Sequence, residues 1–119
     1  MSVFRLYHNP RCSKSRQTLA LLEEHGVSVT PILYLQEGLT ESEVLTLQKK
    51  LGVSSLLLMM RPKEKDFAAQ GLSKTSDEAT LLRGLLAAPK LLERPILETA
   101  DAAAIGRPPE QVLALVDQG

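Results

Sequence analysis

The segment VFRLYHNPRCSKSR, Val3–Arg16, joins a predicted strand to a predicted helix and contains Cys12, the single cysteine of this 119-residue chain. VFRLY alternates apolar and polar residues, as a strand does. HNP interrupts that pattern, and helical spacing begins at Ser13. The helix is predicted to stop at Gly26, in EEHG. The cysteine is therefore predicted to lie in the loop where a strand gives way to a helix.

A second strand is predicted at VTPILYL, Val29–Leu35. Pro31 lies inside this run and cannot donate a ladder hydrogen bond, which indicates a sheet edge or the start of the strand. Strand, helix and strand in this order usually give two parallel strands with a right-handed connection. We therefore predict a βαβ unit over the first 35 residues.

The middle of the chain is helical by pattern. Thr40 and Glu43 form a capping box, and the helix behind it is predicted to end at Leu51. VSSLLLMMR, Val53–Arg61, is an apolar run, and a further helix is predicted to be capped by Ser76. No strand pattern interrupts this block.

The tail returns to strands. PILET, Pro95–Thr99, is followed by a turn at Asp101, the run AAAI and a closing helix opened by Pro108 and Pro109. The order βαβ, helices, ββα predicts an α/β protein with a thioredoxin-like fold and an all-helical insertion.

The same order predicts one domain spanning 1–119. Residues 1–39 and 90–119 are expected to form the sheet core with its flanking helices. Residues 40–89 are expected to form the helical insertion.

Composition excludes several classes of function. Fourteen basic and 14 acidic residues give zero formal net charge, which argues against a general polyanion binder. One cysteine cannot form an internal disulfide or a four-ligand zinc site. Aromatic residues make up only 3%, which argues against stacking on single-stranded nucleic acid. The sequence has neither a membrane-length apolar run nor a signal-peptide pattern, so we expect a cytoplasmic protein without nucleic-acid or membrane partners.

Cys12 is predicted to be a reactive thiolate. A free cysteine taken at random is more often a small buried hydrophobe. Here the N-terminus of a helix, together with Arg11, Lys14 and Arg16, favours the thiolate over the thiol. Those features also make an anion site. The residues therefore predict a nucleophilic cysteine that acts on an anionic substrate.

A thiolate and an oxyanion repel each other, so positive charge must come from elsewhere in the chain. Arg61, Arg94 and Arg107 are the candidates, although any single arginine is more often a solvated surface charge. Arg94 is the most suggestive, because Pro95 after it is placed where a cis proline can lie beside the cysteine loop.

The motifs YHNPRCSKSR, ERPI and GRPPEQVL, in this order, resemble those of the glutaredoxin-linked arsenate reductase (ArsC) family. They are most similar to its short bacterial homologues. The likeness covers almost the whole chain. It implies a thioredoxin-like fold with a helical insert and no metal or bound organic cofactor. This chain has Ser13 and Lys14 where the family usually has Gly-Thr. This difference is expected to affect how an anion binds in the loop.

The resemblance also implies roles for individual residues. Cys12 is the nucleophile that attacks arsenate, His8 helps to lower the thiol pKa, and the Ser15 hydroxyl hydrogen-bonds the thiolate. The three arginines already named bind the oxyanion. Glutathione and then glutaredoxin supply the electrons, which suits a chain with one cysteine.

Three loop-supporting residues complete the predicted site. Asn9 is expected to hold the loop by side-chain hydrogen bonds, although Asn-Pro is also ordinary turn chemistry. Arg16 and Pro95 are expected to support the same region. His8 has a plainer alternative as a structural histidine at a strand end.

Two other functions fit part of the pattern. One is a monothiol oxidoreductase that acts on glutathione mixed disulfides, since Ser15 replaces the second cysteine of a C-x-x-C motif. The other is a non-catalytic regulatory protein similar to Spx, which contacts RNA polymerase. Activity on a mixed disulfide without any oxyanion, or capture of polymerase, would indicate these alternatives.

Overall fold

A four-stranded sheet organises the two ends of the chain. The computed structural model describes residues 4–116, so Val3, predicted to begin the first strand, lies outside the described residues. The strands are β1 (Phe4–Tyr7), β2 (Val29–Ile32), β3 (Ile96–Glu98) and β4 (Ala103–Ile105).

The sheet has the order β2-β1-β3-β4. β1 pairs in parallel with β2, from Phe4 opposite Val29 to Tyr7 opposite Ile32, and pairs antiparallel with β3. β3 in turn pairs antiparallel with β4. The predicted parallel βαβ unit is confirmed, and Pro31 lies on the edge strand β2 as predicted.

The second strand is shorter than predicted. It ends at Ile32, and the residues predicted to continue it begin helix α2 (Tyr34–Glu37). Glu37 explains the change, because its carboxylate accepts a hydrogen bond from the Leu33 backbone N–H at 3.1 Å. The Glu37 N–H in turn donates to the Leu33 carbonyl at 2.9 Å, so the chain closes into a turn.

Helix α1 (Ser13–Glu24) connects β1 to β2 and ends, as predicted, just before Gly26. Its buried Leu22 joins Leu6 of β1, Leu97 of β3 and Val112 in a hydrophobic core with no exposed member. The same helix lies against a 3₁₀ turn at Pro109–Val112, which leads into α6 (Leu113–Val116). This packing holds the segment after β4 against α1.

The described chain forms two compact units. One comprises residues 4–37 and 94–116 and contains the whole sheet, and the other is Gly38–Glu93. The second unit is built from α3 (Glu41–Leu51), a 3₁₀ turn at Leu56–Met59, α4 (Lys65–Ala69), α5 (Glu78–Ala87) and a 3₁₀ turn at Pro89–Leu91. The βαβ and ββα halves with helices between them confirm the predicted thioredoxin-like order, whereas the one-domain organisation stays a prediction.

The helix caps of the second unit agree only in part with the sequence. The capping box of Thr40 and Glu43 is present, with hydrogen bonds of 2.9 and 3.1 Å. The cap of α5 is Asp77 and not Ser76, because Asp77 Oδ1 accepts from the Thr80 N–H at 2.8 Å. The Ser76 hydroxyl instead accepts from the Ser73 N–H in the preceding turn.

Within residues 4–116, helices long and apolar enough to cross a bilayer are absent.

Candidate active site

Cys12 is the N-cap residue of α1 and is partly exposed. Its backbone is extended, with φ −93° and ψ 125°, and its N–H donates to the Asn9 carbonyl at 2.9 Å. The first N–H groups of a helix have no partner within the helix, so they are available to a group at this position. The sulfur therefore lies where the sequence predicted it, at the positive end of α1.

The loop before α1 is held by hydrogen bonds from its own side chains. Buried Asn9 accepts from the Arg11 N–H through Oδ1 at 3.0 Å, and its own N–H donates to the Ser15 hydroxyl at 3.2 Å. Arg16 Nη1 donates to the Pro10 carbonyl at 2.9 Å. Asn9 and Arg16 thus form hydrogen bonds within the loop, and their predicted role in supporting the site stays a prediction. The fully buried Ser15 hydroxyl is used as an acceptor within the loop.

A second segment brings positive charge to the sulfur from the far end of the chain. Arg107 Nη2 lies 3.7 Å from Cys12 Sγ, within hydrogen-bonding distance for sulfur. Arg107 Nε donates to the Arg94 carbonyl at 2.7 Å, so one guanidinium is held between the sulfur and that backbone. The peptide bonds Arg94–Pro95 and Arg107–Pro108 are both cis.

Gly106 allows this segment to approach α1, and sequence analysis missed it. Its N–H donates to the Pro95 carbonyl at 2.8 Å. A Cβ atom at Gly106 would lie 2.8 Å from both Pro95 Cγ and Thr18 Oγ1, which is closer than side chains pack. Thr18 is itself fully buried and donates to the Lys14 carbonyl at 2.8 Å. The only sequence signal was a glycine next to Arg107.

The pKa of Cys12 is lowered below the ordinary thiol value. Burial alone would raise this pKa, but the Ser15 N–H, the Arg94 side chain, the Lys14 N–H and the charge of Arg94 outweigh it. Each of these groups stabilises the thiolate more than the thiol. Cys12 is therefore a better nucleophile at neutral pH than an isolated cysteine.

His8 is buried directly after β1, where its surroundings favour the neutral imidazole. Burial, and then the charge of Arg16, lower its pKa below the ordinary 6.5. Its backbone N–H donates to the Ile32 carbonyl at 3.0 Å, and among the described residues its Nδ1 has no hydrogen-bond partner. The groups that lower the Cys12 pKa do not include His8, so its predicted part in tuning the thiol stays a prediction.

Arg61 belongs to the second unit, where carboxylates neighbour it. Its Nη1 lies 3.0 Å from Glu64 Oε1, and its Nε lies 3.8 Å from Glu93 Oε1. Lys90 Nζ lies 3.9 Å from the other Glu64 oxygen. The predicted role of Arg61 toward an oxyanion stays a prediction.

The first unit therefore brings Cys12, Arg94 and Arg107 together. A partly exposed thiolate with two guanidinium groups beside it can attack an electrophilic centre that carries anionic oxygens, since the arginines offset the added negative charge. In the described part of the chain, no cluster of three or more histidine, cysteine, aspartate or glutamate side chains is arranged to hold a metal ion.

Known proteins are similar to this chain in sequence and architecture. The family profile described as "ArsC family" matches residues 7–115. An arsenate reductase of Haemophilus influenzae is 43% identical, over 98% of this chain and 100% of that protein. The protein YfgD of Escherichia coli K12 is 45% identical, over 94% of this chain and 95% of its own length.

Solved structures extend the likeness to the fold. An arsenate reductase from Vibrio cholerae superimposes with a TM-score of 0.89 and 41% identity, covering 94% of this chain and 96% of that one. The family match spans most of the chain and includes Cys12, Arg94 and Arg107. On these findings, this chain belongs to the ArsC family.

Proposed function

We propose that this protein is an arsenate reductase that uses the Cys12 thiolate as its nucleophile and takes its electrons from glutathione and glutaredoxin. The observation that carries the proposal is the lowered pKa of Cys12, with Arg107 Nη2 3.7 Å from its sulfur and Arg94 hydrogen-bonded to it. The arsenate reductases of Haemophilus influenzae and Vibrio cholerae, at 43% and 41% identity, supply the substrate class.

In the first step the Cys12 sulfur attacks arsenic of the bound arsenate, and water leaves. The product is a thioester of arsenic(V) on Cys12, and no electrons have yet moved to arsenic. Arg94 and Arg107 hold the arsenate oxygens and offset the repulsion between thiolate and oxyanion. The Ser15 and Lys14 N–H groups favour the ionised sulfur that attacks.

Reduction needs two more thiols, because this chain has one cysteine. Glutathione adds to arsenic and displaces a second water. The glutaredoxin thiolate then attacks the glutathione sulfur, and the sulfur–arsenic electron pair stays on arsenic, which becomes arsenic(III). Hydrolysis releases arsenite and restores Cys12. Overall, arsenate and two thiols give arsenite, one disulfide and one water.

Arg61 is assigned the third position around the oxyanion. To fill it, Arg61 must exchange its contacts with Glu64 and Glu93 for arsenate oxygens. We also propose that the protein acts in the cytoplasm, where glutathione and glutaredoxin are reduced, and that it needs no bound cofactor.

A coupled assay tests this function. Protein, arsenate, glutathione, glutaredoxin, glutathione reductase and NADPH are mixed, and NADPH loss is followed with and without arsenate. Arsenate-dependent NADPH loss that vanishes in Cys12→Ser supports the proposal. Equal turnover in wild type and Cys12→Ser would refute the mechanism, and absence of turnover in both would refute arsenate as substrate.

A further inference from the structure

A groove of about 440 Å³ runs along the exposed face of α1. One wall comes from α1, at positions spaced three or four apart, so they share one face of the helix. The other wall is the segment after Arg107. The first wall includes Lys14, Gln17, Leu21 and Glu24, and the second includes Pro108 and Glu110.

Each wall is linked to the reactive sulfur through one residue. Lys14 lies at one end of the α1 wall, and its backbone N–H donates a hydrogen bond to the Cys12 sulfur. Pro108 is bonded to Arg107, whose Nη2 lies 3.7 Å from the same atom. A molecule lying in the groove can therefore present a reactive group to Cys12 while the rest of it contacts α1.

The groove carries both signs of charge. Lys14 supplies a cation near the sulfur, and Glu24 supplies a carboxylate at the other end of the helix. Ten residues of α-helix separate them, a rise of about 15 Å. Glu110 adds a second carboxylate on the opposite wall. A tripeptide is about 10 Å long when extended, so the side chains of Lys14 and Glu24 must reach toward each other to contact both of its ends.

We propose that this groove binds the small thiol that adds to the arsenic of the Cys12 adduct, and that the thiol is a peptide carrying both carboxylate and ammonium groups, as glutathione does. Lys14 receives a carboxylate, and Glu24 and Glu110 receive the ammonium group. The inference rests on the proposed function for its chemistry, because a chain with one cysteine must admit an outside thiol next to that sulfur.

The step that the groove serves is the addition of this thiol to arsenic. A sulfur–arsenic bond forms, one oxygen leaves arsenic as water, and the thiol proton goes into that water. Arsenic stays at oxidation state five in this step. The groove therefore governs affinity for the thiol and not the attack by Cys12.

The test uses the full chain and S-methylglutathione, which binds as glutathione does but cannot react. Nitrogen-15 spectra are recorded as the probe is added. We expect amide shifts concentrated at Gln17, Leu21, Glu24 and Glu110. Saturable shifts confined to other surfaces, or no binding, would overturn the proposal.

Charge variants make the test specific. The double variant Glu24→Gln/Glu110→Gln should raise the dissociation constant for the probe by about three- to tenfold, the range for losing exposed ion pairs. Glu23→Gln is the matched control, since Glu23 is exposed on α1 but lies outside the groove. Acetylating the probe's amino group should weaken binding to wild type and cause no further loss in the double variant. Equal probe affinity in wild type and the double variant would contradict the assignment.

The binding data are independent of turnover. Probe binding in the groove together with failure of the coupled arsenate assay would support the groove and refute the proposed function. Arsenate turnover with a glutathione KM equal in wild type and the double variant would support the function and refute the groove.

Discussion

Arg107 and Cys12 are 95 positions apart in the chain, and their side chains meet with Nη2 3.7 Å from Sγ. The Arg94 carbonyl fixes the Arg107 guanidinium by accepting from Nε at 2.7 Å. A cation at this distance favours the ionised sulfur. The basic residues next to Cys12 in sequence are therefore only part of its environment, and the ββα half of the fold completes it.

Replacing Arg94 should weaken oxyanion binding and raise the thiol pKa. Arg94 both hydrogen-bonds the thiolate and contributes charge, so Arg94→Ala removes two of the effects that lower the Cys12 pKa. Loss of a charged hydrogen bond corresponds to about a tenfold or larger rise in the arsenate KM. Steady-state kinetics measure the KM, with Arg83→Ala, an exposed arginine of α5, as the control. An arsenate KM unchanged by Arg94→Ala would exclude Arg94 from the oxyanion site.

Gly106→Ala should impair the site through packing. The new methyl group would lie 2.8 Å from Pro95 Cγ and Thr18 Oγ1, so the segment carrying Arg107 must move away from α1. Overpacking of this kind costs about 1–3 kcal/mol of unfolding free energy. Gly84→Ala is the matched control, because the atoms nearest to its new methyl group belong to the Leu72 side chain, within the second unit. Both variants should be less stable, but only Gly106→Ala should slow alkylation of Cys12.

Cys12 should make stability depend on pH. Its pKa is lower in the folded chain than in the unfolded one, where a thiol titrates at about 8.5. The unfolded chain therefore binds more protons between these two pKa values, and the folded state gains stability as pH rises through that window. This gain is complete above about 8.5 and is lost as pH falls through the folded pKa. Urea unfolding of wild type and Cys12→Ser across this range measures it, and parallel pH curves would contradict the lowered pKa.

Buried His8 should destabilise the protein in mild acid. Its folded pKa lies below 6.5, so the unfolded chain takes up the proton first as pH falls. Stability should therefore decline from about pH 6.5 down through the folded pKa, and this decline should be smaller in His8→Gln. His25→Gln is the control, since His25 is exposed at the end of α1 and contacts the Leu21 carbonyl through Nδ1. The result expected from a His8 cation would be the reverse, with stability gained in acid.

Local patterns were sufficient to predict much of the fold. Strand β1 and α1 follow from the change of periodicity at HNP, and the capping box of Thr40 and Glu43 follows from residue types three apart. The end of β2 could not be predicted this way, since it depends on the Glu37 carboxylate meeting the Leu33 N–H. Asp77 and Ser76 were equally good caps by type, and only the backbone geometry separates them.

The site also has one part that local sequence predicts and one part that depends on tertiary structure. The placement of Cys12 at the start of α1 follows from residues 3–16 alone. The approach of Arg107 does not, because it depends on sheet pairing and on the close contact of Gly106 with Thr18 and Pro95. The local sequence around a glycine that is needed for close packing does not distinguish it from a glycine in a turn.

The ionisation of Cys12 is the property on which the proposed chemistry depends most. It is measured directly by the rate of iodoacetamide alkylation of the native protein between pH 4 and 10, because only the thiolate reacts. We predict a midpoint below the ordinary thiol value of about 8.5, shifted upward in Arg94→Ala. A midpoint at or above that value in the wild type would mean that the arginines and the N-terminus of α1 do not activate the sulfur, and it would contradict Cys12 as the nucleophile.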